Sequence, residues 1–261
     1  VLAWRVATAI VGGPAVILAA WWGGIPLAVF CLLVSVAGIE EVADMFALKG
    51  VSVSRPVAHF LQVACLLSSF AGDVTVWAIF PVLAGIVSFS MPVLSRRAGD
   101  VPRAGATFLT VMYVPYLLGH LMLMRGLPGG ERLIVYCLCV IWGTDTAAYF
   151  AGTRLGRHRL CPDLSPKKSW EGAVAGLIAG LGIAVAMGPW AGLSTTMAAL
   201  LGVVAPVFGE VGDLFESALK RYAGVKDSGR VIPGHGGALD RFDSLLFTAP
   251  AVYWLLHFAR L

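Results

Sequence analysis

Apolar runs of about 20 residues, each long enough to cross the hydrocarbon core of a bilayer as a helix, recur along the whole chain. Breakers separate them: Gly23-Gly24 with Pro26, Gly72-Asp73, Gly99 with Pro102, Pro128-Gly129-Gly130 and Gly188-Pro189. Hydropathy read with these breaks predicts nine spans, near 4–22, 25–46, 57–72, 74–94, 104–125, 131–151, 172–190, 194–219 and 244–260. The third is the shortest, and the eighth carries three carboxylates at its end. Only 13% of the 261 residues are charged, against about 25% in soluble domains. The runs are continuous and do not alternate with period two, which argues against a β-barrel. The expectation is an all-α, polytopic integral membrane protein with about nine transmembrane helices. The first run is too long, and too closely followed by a second, to read as a cleaved signal peptide.

Basic residues orient such a chain, because cytoplasmic loops carry an excess of Lys and Arg. With the N-terminus inside, 16 of the 19 Lys and Arg fall on the cytoplasmic side, and only Arg125, Arg132 and Arg260 fall outside. This asymmetry predicts a cytoplasmic N-terminus and puts two charge-rich segments, 152–171 and 220–243, on the cytoplasmic face. Residues 1–130 then read as a scaffold of about five helices, and 131–261 as the helices that carry the catalytic loops. The cysteines (Cys31, Cys65, Cys137, Cys139 and Cys161) have the spacing of neither a zinc site nor a disulfide framework.

The stretch 217–243 is out of keeping with its apolar surroundings. Five Lys/Arg, three Asp, one His and five Gly crowd into it. Glycines let main-chain N–H groups approach an anion, cations neutralise it, and carboxylates hold a hard cation. Glu210, Asp213 and Glu216 approach this stretch along the eighth span, and Asp145 lies in the sixth; ionisable groups inside a membrane mark function by default. The competing reading is that these acids only pair with nearby Lys and Arg and hold helices together.

The segment 152–171 ends in Ser165-Pro166-Lys167-Lys168-Ser169, which sets two ammonium groups and two hydroxyls before a helix N-terminus, a place that favours phosphate. Its cations would equally suit anionic lipid headgroups. Gly172, Gly176 and Gly180 follow at i, i+4 spacing, which suits close helix packing within the chain or in a dimer. Glu40, Glu41 and Asp44 end the second span and are expected to be solvated acids outside any site.

At 217–243 the chain closely resembles the signature of phosphatidate cytidylyltransferases, also called CDP-diacylglycerol synthases. The resemblance is carried by Ser217, Lys220, Arg221, Lys226, Asp227, Gly229, Pro233, His235, Gly236, Gly237, Asp240, Arg241 and Asp243. Asp145-Thr-Ala-Ala-Tyr149 and Ser165-Pro-Lys-Lys-Ser-Trp-Glu-Gly172 also look like family motifs, so the likeness runs from the sixth span to the C-terminus. Ala238 replaces a larger aliphatic residue and Ser169 a common Thr, both keeping the chemical character.

The resemblance implies that phosphatidate and CTP give CDP-diacylglycerol and pyrophosphate with Mg²⁺, with room for a second, monovalent cation. It implies Asp213 and Asp240 as metal ligands, with Asp227 a further ligand or a local salt-bridge partner. Lys226 and Asp227 count with Asp213 and Asp240 as catalytic. Lys220, Arg221, Lys226 and Arg241 would contact phosphates. Asp145, Ser165, Lys167 and Lys168 would serve the nucleotide or the lipid phosphate. His235 would donate to pyrophosphate or structure the loop.

The chemistry agrees with these roles. A phosphate monoester is already ionised at neutral pH and needs no strong base, so catalysis reduces to alignment and charge neutralisation. The expected partners are CTP, phosphatidate, the bilayer and a second copy of the chain, with no nucleic acid. The expected location is the bacterial cytoplasmic membrane.

Two rivals remain at this level. A cytidylyltransferase for another lipid phosphate would look the same. An ion-coupled transporter would spread its polar groups near the midplane, often with repeat symmetry, and neither feature is seen. A CDP-alcohol phosphotransferase is argued against by the absence of its Asp-Gly-x-x-Ala-Arg motif.

Overall fold

Every predicted apolar run is helical in the computed structural model, which describes residues 2–229 and 236–259. The helices are α1 (Leu2–Trp22), α2 (Gly24–Ala47), α3 (Arg55–Ala71), α4 (Val74–Ser95), α5 (Val101–Val111), α6 (Leu117–Arg125), α7 (Gly130–Leu155), α8 (Trp170–Met187), α9 (Thr195–Ala223) and α10 (Leu239–Phe258). Six helical segments among the described residues are long and apolar enough to cross a membrane: Gly24–Ala47, Val74–Ser95, Ala98–Arg125, Gly130–Leu155, Trp170–Met187 and Thr195–Ala223. The protein is thus a helical integral membrane protein.

Local chemistry sets the helix ends. Pro56 occupies the first turn of α3, where its missing N–H costs nothing. Gly72 closes that helix with φ 72°. Asp73 then caps α4, its carboxylate accepting from the N–H groups of Thr75 at 2.8 Å and Val76 at 3.1 Å. Between α5 and α6 the helix widens to a π turn over Met112–Tyr116. Pro115 has no N–H to offer the carbonyl one turn back, so the ladder slips by one residue.

The segment 152–171 is more ordered than the loop that hydropathy suggests. β1 (Arg159–Cys161) pairs antiparallel with β2 (Ser165–Ser169), with Arg159 opposite Ser169 and Cys161 opposite Ser165. Ser165 precedes a proline, which biases it to extended backbone, and a strand results within the segment expected to be a loop. The fold is therefore helical with one small hairpin.

The chain forms two units, Val1–Gly126 with Leu219–Phe242, and Leu127–Ala218 with Asp243–Leu261. In the first, the Trp77 ring is fully buried, stacks on Tyr116 with centroids 4.6 Å apart, and donates its indole N–H to His120. In the second, buried Tyr136 donates its hydroxyl to the Ala198 carbonyl at 3.2 Å. There the glycine row of α8 is a packing surface within the chain. A Cβ on Gly172 would lie 2.8 Å from the Ala148 carbonyl oxygen of α7, and one on Gly180 would collide with Thr144 of α7 and Pro206 of α9.

Candidate active site

The second unit gathers a lysine and three carboxylates. Glu210 and Asp213, one turn apart on α9, lie on one helix face. Their carboxylates converge on one ammonium: Lys168 Nζ is 2.7 Å from Glu210 Oε1 and 2.9 Å from Asp213 Oδ2. Ser217, one turn further along α9, donates its hydroxyl to Asp213 Oδ1 at 3.4 Å. Asp145 on α7 is within electrostatic reach of Asp213, Lys168 and Glu210.

The hairpin explains how Lys168 gets there. Along β2, Pro166 and Lys167 are exposed, Lys168 is half-buried and Ser169 is buried, so the strand turns inward as it runs into α8 and carries Lys168 with it. Burial works against the Lys168 ammonium, but Asp213 and Glu210 outweigh it and hold the pKa above its usual value. The N–H of Trp170 bonds the His158 carbonyl at 2.9 Å, and the Ser169 hydroxyl caps α8 by accepting from Gly172 N–H at 3.2 Å.

The first unit holds a separate arrangement at the head of α10. Lys220 Nζ donates to Asp240 Oδ1 at 2.7 Å, with both side chains nearly buried. Asp240 Oδ2 accepts from the N–H groups of Ser228 at 3.0 Å and Gly237 at 2.9 Å, and the Ser228 hydroxyl lies 3.1 Å away. Gly236 has φ 82°, and a Cβ there would sit 2.5 Å from Asp240 Oδ2, so conformation and space both require glycine.

Glu41 belongs to the same arrangement, which corrects its expected role as a solvated acid. It is buried, and its carboxylate accepts from the Ser228 hydroxyl and from the N–H groups of Ala238 and Leu239. Glu40 and Asp44 do stay at the surface, both bonded to Arg55. The difference was latent in the spacing. Gly38, Val42 and Met45 form the buried stripe of α2, and Glu41 falls within it at i+3 from Gly38 and i−4 from Met45.

The sequence profile of the cytidylyltransferase family matches residues 3–259. The chain belongs to the cytidylyltransferase family. A phosphatidate cytidylyltransferase of Staphylococcus aureus is 35% identical over 238 residues, covering 90% of this chain and 91% of the relative. The enzymes of the same name from Staphylococcus haemolyticus and Staphylococcus epidermidis are 34% and 33% identical over 241 residues, with the same coverage. The family expected from the signature at 217–243 is the one that matches, and the chain is an enzyme of that family.

Within the family frame, the expected site residues sort into groups. Asp145, Lys168 and Asp213 come together in the second unit, joined by Glu210. Lys220 and Asp240 come together in the first. Lys167, Arg221, Lys226, Asp227 and Arg241 are exposed, and Ser165 is half-buried at the start of β2. Arg221 donates to the Val225 carbonyl at 3.1 Å, and among the described residues Asp227 makes no ion pair. His235 lies outside the described residues, as do Arg230 and Pro233.

Among the described residues no group of three or more His, Cys, Asp or Glu is arranged to hold a metal ion. The donor chemistry nevertheless fits Mg²⁺, which binds through one or two carboxylates and takes its remaining ligands from water and substrate phosphates. Glu210 and Asp213 already direct oxygens at a single cation, the Lys168 ammonium.

Proposed function

We propose that this chain transfers the cytidylyl group of CTP to phosphatidate, giving CDP-diacylglycerol and pyrophosphate. A phosphate oxygen of phosphatidate forms a bond to the α-phosphorus of CTP, and the bond from that phosphorus to the bridging oxygen of the leaving pyrophosphate breaks. The observation that carries the reading is the Lys168, Glu210 and Asp213 cluster in a chain whose relatives are named phosphatidate cytidylyltransferases.

Lys168 and Lys220 are the cations held in place to neutralise phosphate charge, each oriented by carboxylates. Arg221, Lys226 and Arg241 are exposed and can meet the triphosphate as it arrives. The Mg²⁺ ligands are proposed among Asp213, Asp240 and Asp227, to which Glu210 is added. When bound, Mg²⁺ supplies charge neutralisation on the nucleotide and on the departing pyrophosphate. Asp145 and Ser165 complete the substrate contacts, exposed Lys167 meets anionic phosphate at the membrane surface, and His235 donates to pyrophosphate or structures its loop.

The membrane reading is nine spans with a cytoplasmic N-terminus, and 152–171 and 220–243 on the cytoplasmic face, where CTP is available. The bacterial relatives support the cytoplasmic membrane as the location. The transporter alternative is dropped, because the chain belongs to a family of enzymes. The test of the acceptor is to incubate the purified protein with CTP, Mg²⁺ and a panel of lipid phosphates. Phosphatidate is expected to give the liponucleotide fastest. Faster turnover of another lipid phosphate would reassign the acceptor.

A further inference from the structure

We propose that Glu41 is a positioning residue that ties Ser228, beyond α9, to Ala238 and Leu239, at the head of α10, and so presents Lys220 and Asp240 to the nucleotide. The inference rests on the cytidylyl-transfer reading and adds a residue from α2, far from the signature in sequence.

Three contacts converge on this carboxylate. Glu41 Oε1 accepts from Ala238 N–H at 2.7 Å, and Oε2 accepts from Leu239 N–H at 2.9 Å and from the Ser228 hydroxyl at 2.9 Å. The two N–H groups belong to the start of α10, where free donors and the helix dipole both favour an anion. The Ser228 hydroxyl also lies 3.1 Å from Asp240 Oδ2. It has one proton to donate, so Glu41 and Asp240 share it. Asp240 in turn holds the N–H groups of Ser228 and Gly237. Two carboxylates, from α2 and α10, therefore tie Ser228 to the head of α10.

The glycines report how closely the backbone closes on Glu41. A Cβ on Gly229 would lie 2.8 Å from Glu41 Oε1, and one on Gly237 would lie 2.5 Å from Oε2. The Ser228 hydroxyl would crowd a Cβ on Gly237 more closely still, so Gly229 is explained by the carboxylate and Gly237 by the carboxylate together with that hydroxyl. Glu41 is only 3% exposed, and burying an anion is costly unless its lone pairs are satisfied. An apolar residue would leave the Ala238 and Leu239 donors unsatisfied. A glutamine would offer one acceptor oxygen and turn an NH₂ group towards those same donors.

A staple of the fold and a brace of the site make different kinetic predictions. Loss of a staple lowers the fraction of folded enzyme, which lowers the maximal rate and leaves KM unchanged. Loss of a brace leaves a folded enzyme whose signature segment is competent only part of the time. Its apparent affinity for CTP then falls by that fraction.

The experiment compares Glu41→Gln, Ser228→Ala and Asp44→Ala with the parent protein in detergent. CTP is varied at saturating phosphatidate, and amide exchange is followed in peptides covering 226–229 and 236–241. Glu41→Gln is expected to raise KM for CTP at least about tenfold while kcat stays within about threefold. Exchange should quicken in those two peptides and stay unchanged across 170–187. Ser228→Ala should shift both readouts the same way, by about threefold in KM. Asp44→Ala, at the exposed end of α2, should match the parent.

A parental KM in Glu41→Gln, whatever its maximal rate, would overturn the proposal. If Glu41→Gln does not fold, Ser228→Ala decides: parental KM and parental exchange would refute the brace. Absence of CTP-dependent product in the parent would instead refute the reaction itself. The exchange measurement would then still decide whether Glu41 holds the segment.

Discussion

Lys167 and Lys168 are neighbours in sequence with the same charge, and the structure gives them opposite fates. Lys168 lies between Glu210 and Asp213 at 2.7 and 2.9 Å, with its side chain 22% exposed. Lys167 is on the outer face of β2. If Lys168 neutralises phosphate charge within a partly dehydrated site, Lys168→Gln should cost about 2.7–4 kcal/mol of transition-state stabilisation, a fall in kcat of about 10²–10³. Lys167→Gln removes a surface charge worth about 1 kcal/mol near an anionic membrane, about fivefold at most.

Salt separates the two, because the Debye length falls from about 10 Å at 0.1 M to about 3 Å at 1 M. The Lys167 effect should shrink towards nothing at high salt, whereas the Lys168 effect should persist. The assay is CDP-diacylglycerol formation by each single variant, in neutral detergent micelles and again with anionic lipid, at both salt concentrations. Parent-like rates for Lys168→Gln in high salt would show that its charge acts only at the membrane surface. Equal losses in the two variants would refute the division made by the strand.

Asp213→Asn and Asp240→Asn should each lose at least about 99% of turnover while inserting normally, since each keeps its size but loses the charge that holds Lys168 or Lys220 and would hold Mg²⁺. Near-parental turnover at saturating Mg²⁺ would remove that residue from the site. Gly180→Val should destabilise the protein by about 1–3 kcal/mol, because even a Cβ collides with Thr144 and Pro206; an unchanged melting temperature would refute the packing role of the α8 glycines. Cysteine labels in 95–103 and 152–171 should react only from the cytoplasmic side, and labels near Gly72 and Gly192 only from the other; reaction of 152–171 from outside would overturn the nine-span topology.

The helices were legible because their signal is long-range and simple. A run of about 20 apolar residues in a bilayer must satisfy its own backbone, and a helix does so. The stretch 217–243 was legible because it crowds charge and glycine into a chain that is otherwise apolar.

The hairpin was less so. Three to five residues of mixed polarity carry almost no periodic signal, and only the Ser165-Pro166 step hinted at extended backbone. Hence the two lysines were grouped from sequence and are divided by structure. Glu41 is illegible for another reason. Its neighbours Glu40 and Asp44 look alike in composition, and what distinguishes Glu41 is the residues it reaches near the other end of the chain. The partner set of a buried carboxylate is tertiary information. The stripe of Gly38, Val42 and Met45 showed only that Glu41 faces inward.

The central claim is transfer of the α-phosphate with its cytidine to a lipid phosphate. Its most direct test is the fate of label from CTP carrying ³²P at the α- or the γ-position, with purified protein, Mg²⁺ and phosphatidate. The account predicts that α-label enters the chloroform-soluble lipid in a one-to-one ratio with phosphatidate consumed, while γ-label leaves as pyrophosphate. Appearance of γ-label in the lipid, or release of inorganic phosphate in place of pyrophosphate, would contradict it.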